Sequence, residues 1–318
     1  HIAFNILKVG RFKLGASAIG GAKEALKAGV PYTKERHQFG QPLCSFGLIR
    51  RKIADVNTTI FLTESMVYRT AGLLDRAIET LDKSAADYDR ASIKQVEEFS
   101  IECSMIKVFG TEACALAAEE CLQMLGGYGY CQEYPLERLY RDERINRIFE
   151  GTNEINRMLV PGMIMKKALK GELPFLQAAQ TVAEELTGLP SFAEPGEPEF
   201  LEDEGKLVAN MKKVVLAVLG LAAQKFGQGL KDQQEVLSDV ADICMEAYAC
   251  ESALLRTLKK ADRDGEEAAS MMADMTTLYI HDAMDRVGTW GRHVMAATVE
   301  GDELRTCLLY TSPSPRDL

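Results

Sequence analysis

The sequence predicts an all-α protein, and three observations lead to this prediction. Apolar residues recur at helical spacing along most of the 318 residues. No segment alternates polar and apolar residues with period two over the length of a strand, and no βαβ unit is visible. The prolines are unevenly placed, with none between Pro42 and Pro135, and such long proline-free stretches suit helices.

The first helix is predicted at the start of the chain, where Ile2 and Ile6 recur at helical spacing, and Pro31 is expected to close it. The segment 33–44 contains Gly40 and Pro42 and is predicted to be a loop. Small residues in the helix would let a neighbouring helix approach it closely. They are Gly15, Ala16, Ala18, Gly20 and Gly21.

Further helices are predicted along the first half of the chain. The pattern is helical from residue 46 to about residue 80, and the polar stretch 82–94 is expected to form a turn or a solvated helix end. The next helix, 96–125, stops at Gly126 and Gly127, which is a strong C-terminal signal. Two more helices are predicted, from about 135 to 149 and from about 153 to 169.

A second helical block is predicted after residue 200. The region 171–200 is rich in Pro, Gly and Glu and is predicted to be a linker, which separates a first domain, 1–170, from a second, 201–306. In the second domain Val215, Val218, Leu219 and Ala222 mark one apolar face. No stretch approaches the roughly 20 apolar residues that span a bilayer, and the run 214–223 is predicted to be a buried helix.

The two ends of the sequence carry their own expectations. The chain begins at His1 inside a helical pattern, and we expect a preceding part of the protein to be missing. The tail 307–318 replaces the helical pattern with a Ser and Pro run. Because the codons of a sequencing-library transposon adapter translate to Cys307 through Asp317, we expect this tail to be an artificial extension. Source DNA with other codons would contradict that expectation.

Composition excludes some classes of function. The formal net charge of -10 and the pI near 5.1 argue against a nucleic-acid binder, since no basic excess is present to neutralise phosphates. The 8 cysteines lack paired spacing, and Cys114, Cys121 and Cys131 have no histidines at ligand distances, so neither a disulfide framework nor a zinc site is indicated. A reducing compartment is the default expectation.

Four local features carry residues that can do chemistry, and two of them contain loops. The segment RHQFG at 36–40 offers a guanidinium for an anion and an aromatic ring beside a flat ligand, although an exposed Arg and Phe are ordinary in a loop. The segment QMLGGYGY at 123–130 is either a simple helix cap or a place where glycines let the backbone approach a ligand.

The other two features surround a helix junction. Arg138, Arg141, Arg144 and Arg147 are interleaved with acidic residues, which favours a salt-bridged helix face. The segment FEGTNEI at 149–155 places Glu150 between two predicted helices. Its carboxylate either belongs to helix capping or stands where a substrate can reach it.

Together and in this order, the segments ERHQFG, QMLGGYGY, RLYRDERI and FEGTNEI resemble the acyl-CoA dehydrogenase family, specifically its very-long-chain members. The resemblance covers roughly residues 2–161. The block after Glu202 resembles the carboxy-terminal extension of the very-long-chain branch. The resemblance implies a carboxy-terminal four-helix bundle followed by that extension, without the family's helical amino-terminal domain and middle β-domain.

The resemblance implies FAD as the cofactor. The family position that Arg36 matches reaches the flavin pyrophosphate of a neighbouring subunit, so a homo-oligomer, either dimer or tetramer, is implied. The other positions that match cofactor contacts are Gln38, Phe39, Gln123, Gly126, Gly127, Thr152 and Glu154.

Glu150 matches the family's catalytic base. The α-hydrogen of a fatty acyl thioester is weakly acidic, so a carboxylate must meet it in a dry pocket. The resemblance implies that the Glu150 backbone N–H and a flavin hydroxyl polarise the thioester carbonyl, while the β-hydrogen leaves as a hydride to the flavin. The implied reaction converts long-chain acyl-CoA to trans-2-enoyl-CoA in β-oxidation, and an electron-transferring flavoprotein takes the electrons.

The resemblance also implies substrate contacts at Arg11, Phe149 and Gly151. Isovaleryl-type members carry the base directly before the Arg that Arg11 matches, and this chain has Gly10 there, which leaves Glu150 as the base. Medium-chain members place an acidic residue where this chain has Lys8, so that substrate contact departs from the family pattern.

Other functions share parts of this pattern. An acyl-CoA oxidase uses much of the same scaffold, and a dehydrogenase-like protein can serve in the assembly of a respiratory complex. A plain helical-bundle interaction protein would leave the motifs as coincidence. We expect the protein to be located in the cytoplasm of a bacterium or in the mitochondrion of a eukaryote. At most a peripheral contact with the inner membrane is expected, because the second block shows no obvious basic amphipathic stripe.

Overall fold

The computed structural model describes residues 2–187 and 199–301. Within these residues the chain forms ten α-helices and one two-residue β-pairing, which confirms the predicted all-α class. The structure divides into two compact units between Asn156 and Arg157. The predicted domain bounds remain a prediction, and the tail 307–318 lies outside the described residues.

The first unit is built from long helices and one short hairpin. Its helices are α1 (Ile2–Glu35), α2 (Gly47–Glu79), α3 (Tyr88–Glu98), α4 (Ser100–Leu125), α5 (Pro135–Glu143) and the first residues of α6 (Asn153–Leu169). The hairpin joins β1 (His37–Gln38) to β2 (Gln41–Pro42), with His37 opposite Pro42. Tight 3₁₀ turns follow α4 at Gly126–Tyr130 and α5 at Arg144–Arg147.

Helices α1 and α4 run parallel and pack almost backbone to backbone. A Cβ atom at Gly15 would lie 2.4 Å from the carbonyl oxygen of Ile106, and one at Gly110 would lie 2.7 Å from the carbonyl oxygen of Gly15. Fourteen residues further along α1, a Cβ at Gly29 would lie 3.1 Å from the Cβ of Cys121. The close approach predicted for small residues is confirmed at Gly15 and at Gly21, where a Cβ would lie 2.8 Å from the sulfur of Cys114, but not at Gly20, where a Cβ would meet nothing within 4 Å.

Helix α2 runs antiparallel to this pair. Lys23 of α1 contacts Glu64 of α2, whereas Lys52 near the start of α2 contacts Glu120 near the end of α4. The apolar faces meet in a closely packed core. Its fully buried members include Ala25, Leu62, Met66, Ile106, Val108, Ala117 and Leu136.

The structure corrects three details of the predicted first block. Pro31 was expected to close the first helix, and this was wrong, because α1 continues to Glu35. Proline removes only one backbone donor, and the long contact with α4 offsets that loss. The segment 33–44 is accordingly not a simple loop, since it begins inside α1 and carries the hairpin. The helix predicted to reach residue 149 leaves α geometry after Glu143.

The second unit contains the rest of α6 and four further helices. They are α7 (Phe175–Thr187), α8 (Glu202–Phe226), α9 (Gln234–Asp264) and α10 (Glu266–Thr298). Helix α7 lies inside the region predicted to be a linker, so that region is helical in part. Gly265 has φ 91°, in the left-handed region, and turns α9 directly into α10.

Helix α8 is more apolar than the sequence patterns indicated. The segment Glu202–Asp232 is long and apolar enough to cross a membrane by length and composition, with a mean hydropathy of 1.4 over its best window. The expectation that no stretch approaches this length was therefore wrong. Only 33% of that window is buried, so the predicted buried helix is partly exposed. One such helix is weak evidence for a membrane span, because core helices pass the same test.

Candidate active site

Glu150 stands in the short connection between the 3₁₀ turn after α5 and the start of α6. Its φ is 59°, and that of Gly151 is 83°, so both residues occupy the left-handed region. For a residue with a side chain this conformation costs about 1–2 kcal/mol. Such strain persists only where the surroundings hold the backbone in place. The neighbours of Glu150 do so from several directions.

Arg11 of α1 holds the backbone of Glu150. Its Nε donates a hydrogen bond to the Glu150 carbonyl oxygen at 3.1 Å, across 139 residues of sequence. A Cβ at Gly151 would lie 3.6 Å from the same guanidinium. Burial lowers the pKa of Arg11, and the Glu150 carboxylate acts in the opposite direction. The structure therefore brings together three predicted site residues, and it shows Arg11 contacting Glu150 directly.

The Glu150 carboxylate lies against the backbone of α1 at Gly10. A Cβ atom at Gly10 would lie 2.5 Å from Oε2, 2.7 Å from Cδ and 2.8 Å from Oε1 of Glu150. No side chain other than hydrogen fits there without moving the carboxylate. The Oε2 atom is buried and has no hydrogen-bond partner within the described residues. An orphaned carboxylate oxygen of this kind is available to a bound molecule.

The first turn of α6 fixes the other side of the connection. Thr152 caps the helix, since the Ile155 N–H donates to its Oγ1 at 3.3 Å. The Asn156 side-chain amide donates to the carbonyl oxygens of Gly151 at 2.8 Å and Thr152 at 3.0 Å. The capping interpretation of FEGTNEI is thus correct for Thr152, whereas Glu150 is left with a free carboxylate oxygen. Phe149 and Glu154 are exposed beside it.

A second group of predicted residues lies at the other end of α1. Arg36, Gln38 and Phe39 form the hairpin after the helix, and all three are exposed. Phe39 has φ 52° and a side chain that is 92% exposed, with its ring edge-on to Phe46 at 6.2 Å. An aromatic side chain so exposed is available to stack on a flat ring. Gly40 at φ 81° completes the turn.

The glycine-rich turn after α4 lies beside this hairpin. The rings of Tyr32, near the end of α1, and Tyr128, in the turn, meet edge to face at 6.4 Å. Gly126 has φ 60°, and a Cβ at Gly126 or Gly127 would meet nothing within 4 Å. Gln123 is exposed at the end of α4. The structure thus places the glycine turn against the last turn of α1, from which the hairpin continues.

The two groups are far apart. Arg11 lies on α1 and Arg36 directly follows the last residue of the same helix, and 25 residues at 1.5 Å each give a separation of roughly 38 Å. Glu150, Thr152 and Glu154 therefore belong to one site of the chain, which we name the Glu150 site. The hairpin and the glycine turn, with Arg36, Gln38, Phe39, Gln123, Gly126 and Gly127, form another, which we name the hairpin site.

Three of the four arginines on α5 and the 3₁₀ turn after it form ion pairs, which is the structural role that the pattern favours. Arg138 pairs with Asp142 at 3.4 Å, and Arg141 pairs with Glu137. Arg147 pairs with Glu143 at 3.2 Å, and Glu143 is almost completely buried. Burial raises the pKa of Glu143, although Arg147 partly offsets this effect. These pairs stabilise the segment that leads into Glu150.

Sequence reasoning missed several residues that shape the Glu150 site. Gly10 was considered only as the place of an alternative base, and its contact with the carboxylate was not expected. Asn156, and Lys107, whose Nζ donates a hydrogen bond to Asn153 at the start of α6, carried no motif. The one available signal was a lysine between the apolar residues Ile106 and Val108 of a helix that is apolar on most sides.

Comparison with known proteins agrees with this geometry. Residues 1–164 match the family model described as acyl-CoA dehydrogenase, C-terminal domain, and residues 210–311 match a second model of the same description. The chain belongs to the acyl-CoA dehydrogenase family. A probable acyl-CoA dehydrogenase of Bacillus subtilis is 43% identical over 307 residues, which cover 96% of this chain and 51% of that protein.

Two further members of the family extend the comparison. The crystal structure of an acyl-CoA dehydrogenase complexed with FAD from Bacillus anthracis has a TM-score of 0.95 and 42% identity, covering 99% of this chain and 54% of that one. The human mitochondrial very long-chain specific acyl-CoA dehydrogenase is 32% identical over 283 residues, which cover 84% of this chain and 40% of that protein. The chain therefore spans about half the length of the relatives it matches.

Proposed function

We propose that this chain is the carboxy-terminal half of an FAD-dependent acyl-CoA dehydrogenase in which Glu150 is the catalytic base. The observation that carries the proposal is the Glu150 carboxylate, which has one buried oxygen without a hydrogen-bond partner in the described part of the chain. A strained backbone fixes this group against Gly10. Family membership and the FAD-bound relative support the same assignment.

The residues of the Glu150 site have separate tasks in this reaction. Glu150 accepts the α-proton of a fatty acyl thioester, and the carboxyl group formed holds that proton on an oxygen. Its backbone N–H polarises the thioester carbonyl as negative charge develops there. Arg11 holds the Glu150 carbonyl oxygen and so keeps this N–H and the carboxylate in a fixed orientation. Positioning of this kind is a large part of proton-transfer catalysis.

The hairpin site fits one end of a flavin dinucleotide. Arg36 offers a guanidinium for a pyrophosphate, Gln38 and Gln123 offer side-chain amides, and Phe39 offers an exposed ring. The open space above Gly126 and Gly127 lets a ligand reach the backbone N–H groups. Thr152 and Glu154 lie in the Glu150 site, where they would face the reacting end of a flavin. When bound, FAD supplies the redox chemistry by accepting the β-hydrogen as a hydride.

We propose that the enzyme is a homo-oligomer. The roughly 38 Å along α1 between the two sites is too long for both to surround the same flavin ring. Each flavin would therefore contact the Glu150 site of one copy and the hairpin site of another. Sedimentation of the complete enzyme should show a dimer or tetramer, and Arg36→Ala should lower its FAD content. A fully active, FAD-loaded monomer would contradict this proposal.

We propose long-chain acyl-CoA as the substrate, trans-2-enoyl-CoA as the product in β-oxidation, and an electron-transferring flavoprotein as the electron acceptor. The similarity to the very long-chain specific enzyme supports this substrate class. Turnover of a series of acyl-CoA chain lengths, measured with an electron-transferring flavoprotein and with oxygen alone, tests it. Oxygen consumption with hydrogen peroxide release at the full turnover rate would identify an acyl-CoA oxidase instead.

The assignment of the base is tested by Glu150→Gln in the complete enzyme. The amide keeps the shape of the side chain and cannot accept the proton, so turnover should fall by about 10²–10⁴-fold while FAD stays bound. Glu79→Gln, at an exposed carboxylate at the end of α2, is the matched control and should leave turnover unchanged. Wild-type turnover in Glu150→Gln would remove Glu150 from the reaction.

A further inference from the structure

Lys107 is the largest side chain that the described residues bury completely, with an exposure of 0%. It lies in the middle of α4 between the core residues Ile106 and Val108. Burying an ammonium group is unfavourable unless it is paired and hydrogen-bonded. A buried charge retained in the core of a helical bundle therefore calls for a specific partner.

One partner of Lys107 is the first residue of α6. The Lys107 Nζ donates to Oδ1 of Asn153 at 2.6 Å. Asn153 is 3% exposed, and its amide nitrogen donates to Oε1 of Glu112 at 2.9 Å and contacts Oγ1 of Thr111 at 3.2 Å. One buried side chain of α6 is thus held by three side chains of α4, those of Lys107, Thr111 and Glu112.

Asn153 lies only three residues after Glu150. The two residues between them are Gly151, which has φ 83°, and Thr152, which caps the helix. The strained connection is therefore held at both ends. Arg11 holds the carbonyl oxygen of Glu150, and Lys107 holds the residue where α6 begins. Loss of either anchor would let the left-handed backbone at Glu150 relax toward an ordinary conformation.

We propose that Lys107, acting through Asn153, is a positioning residue for the catalytic base. Its buried charge fixes the start of α6 and so the direction of the Glu150 carboxylate. This inference rests on the proposed function. It adds a residue that acts on the base without touching the substrate. It also gives a functional reason for the buried ammonium group of Lys107, which packing of the core does not require.

The test uses Lys107→Met and Asn153→Ala in the complete enzyme. Methionine keeps the length of the lysine side chain and removes its charge. We expect kcat to fall about 10-fold or more in each variant, because a small misplacement of a catalytic group is costly. KM and FAD content should stay within about twofold of wild type, and the isotope effect with α-deuterated substrate should increase, because proton removal becomes more rate-limiting. The double variant should lose no more activity than the worse single variant, since both changes break one linkage.

Leu62→Ala is the control for general destabilisation. Leu62 is completely buried on α2, and its truncation weakens the same bundle at a residue that belongs to neither α4 nor α6. It should lower the melting temperature and leave kcat and the isotope effect unchanged. If Lys107→Met does not fold, Asn153→Ala decides the question.

Two outcomes would overturn the inference. The first is a wild-type kcat and isotope effect in a folded Lys107→Met or Asn153→Ala enzyme, and the second is an equal loss of kcat in Leu62→Ala. Glu150→Gln separates this failure from failure of the proposed function. An inactive Glu150→Gln beside an unaffected Lys107→Met would remove only the positioning role, whereas an active Glu150→Gln would remove both.

Discussion

A methyl group at residue 10 should impair catalysis while leaving the fold intact. In Gly10→Ala the new Cβ would lie 2.5 Å from Oε2 of Glu150, against 3.4 Å or more for an ordinary contact, so the carboxylate must retreat by about 0.9 Å. The atoms that must move are the tip of a flexible side chain, so the fold can accommodate the change. Alanine in a helix is also favoured over glycine by about 1 kcal/mol.

The two effects of Gly10→Ala should therefore have opposite signs. A displacement near 1 Å of a catalytic group costs about 10²-fold in rate, whereas the melting temperature should stay equal to or above that of wild type. The assay is steady-state dehydrogenation of acyl-CoA by the complete enzyme, together with thermal unfolding of the same samples. FAD absorbance reports whether cofactor binding is retained.

Gly20→Ala is the matched control. Gly20 lies on the same helix α1, and a Cβ there would meet nothing within 4 Å. This variant should gain stability and keep the wild-type kcat. The reasoning would be refuted by a wild-type kcat in Gly10→Ala, because the carboxylate would then tolerate the displacement. An equal loss of activity in both variants would also refute it, since the effect would belong to the helix.

Three further predictions concern packing, charge and thiol reactivity. Gly15→Ala should lower the unfolding free energy by about 1–3 kcal/mol, because the new Cβ would lie 2.4 Å from a rigid backbone carbonyl oxygen of α4. An unchanged midpoint of urea unfolding would contradict this prediction. Arg286→Met should lower the unfolding free energy by about 1–3 kcal/mol, because it leaves the buried Glu246, which the arginine contacts at 2.8 Å, without this partner. The loss is smaller than for a fully buried ion pair because Arg286 is 38% exposed. Adding Glu246→Gln to the same chain should restore part of the lost thermal stability. Burial raises the pKa of Cys103 to about 12, so its thiol stays protonated as the pH rises toward that value. Iodoacetamide at about pH 8 should therefore alkylate the exposed Cys131 before Cys103. Mass spectrometry that showed the reverse order would be incompatible with the packing of α4.

Local signals in the sequence predicted the helices well where no distant contact competes with them. Helix α4 ends at Leu125 because Gly126 adopts φ 60°, which the paired glycines indicated. Pro31 is the counterexample. Its local signal predicts a helix end, yet packing of α1 along α4 carries the helix on to Glu35, and such packing is not visible in a local pattern. Helix α7 was hidden because the surrounding Pro, Gly and Glu content dominates its short apolar pattern.

The candidate site was predicted only as far as its motif extends. Glu150 and the cap residue Thr152 belong to one short segment, whose own pattern left capping and substrate contact as alternatives, and only the resemblance to the family singled out Glu150. The contact between Arg11 and Glu150 spans 139 residues, and that between Lys107 and Asn153 spans 46. No periodicity in the sequence encodes such distances. The fold is needed to show that a glycine, an arginine and a buried lysine converge on one carboxylate.

The role of Glu150 as the base is tested most directly by hydrogen exchange at the α-carbon of an acyl-CoA that carries sulfur at the β-position. Such a compound can lose its α-proton but has no β-hydrogen to transfer, so the measurement isolates proton removal from the redox step. In deuterated water the complete wild-type enzyme should exchange the α-hydrogen readily, and Glu150→Gln should exchange it about 10²–10⁴-fold more slowly with FAD still bound. Exchange by Glu150→Gln at the wild-type rate would show that another group removes the proton.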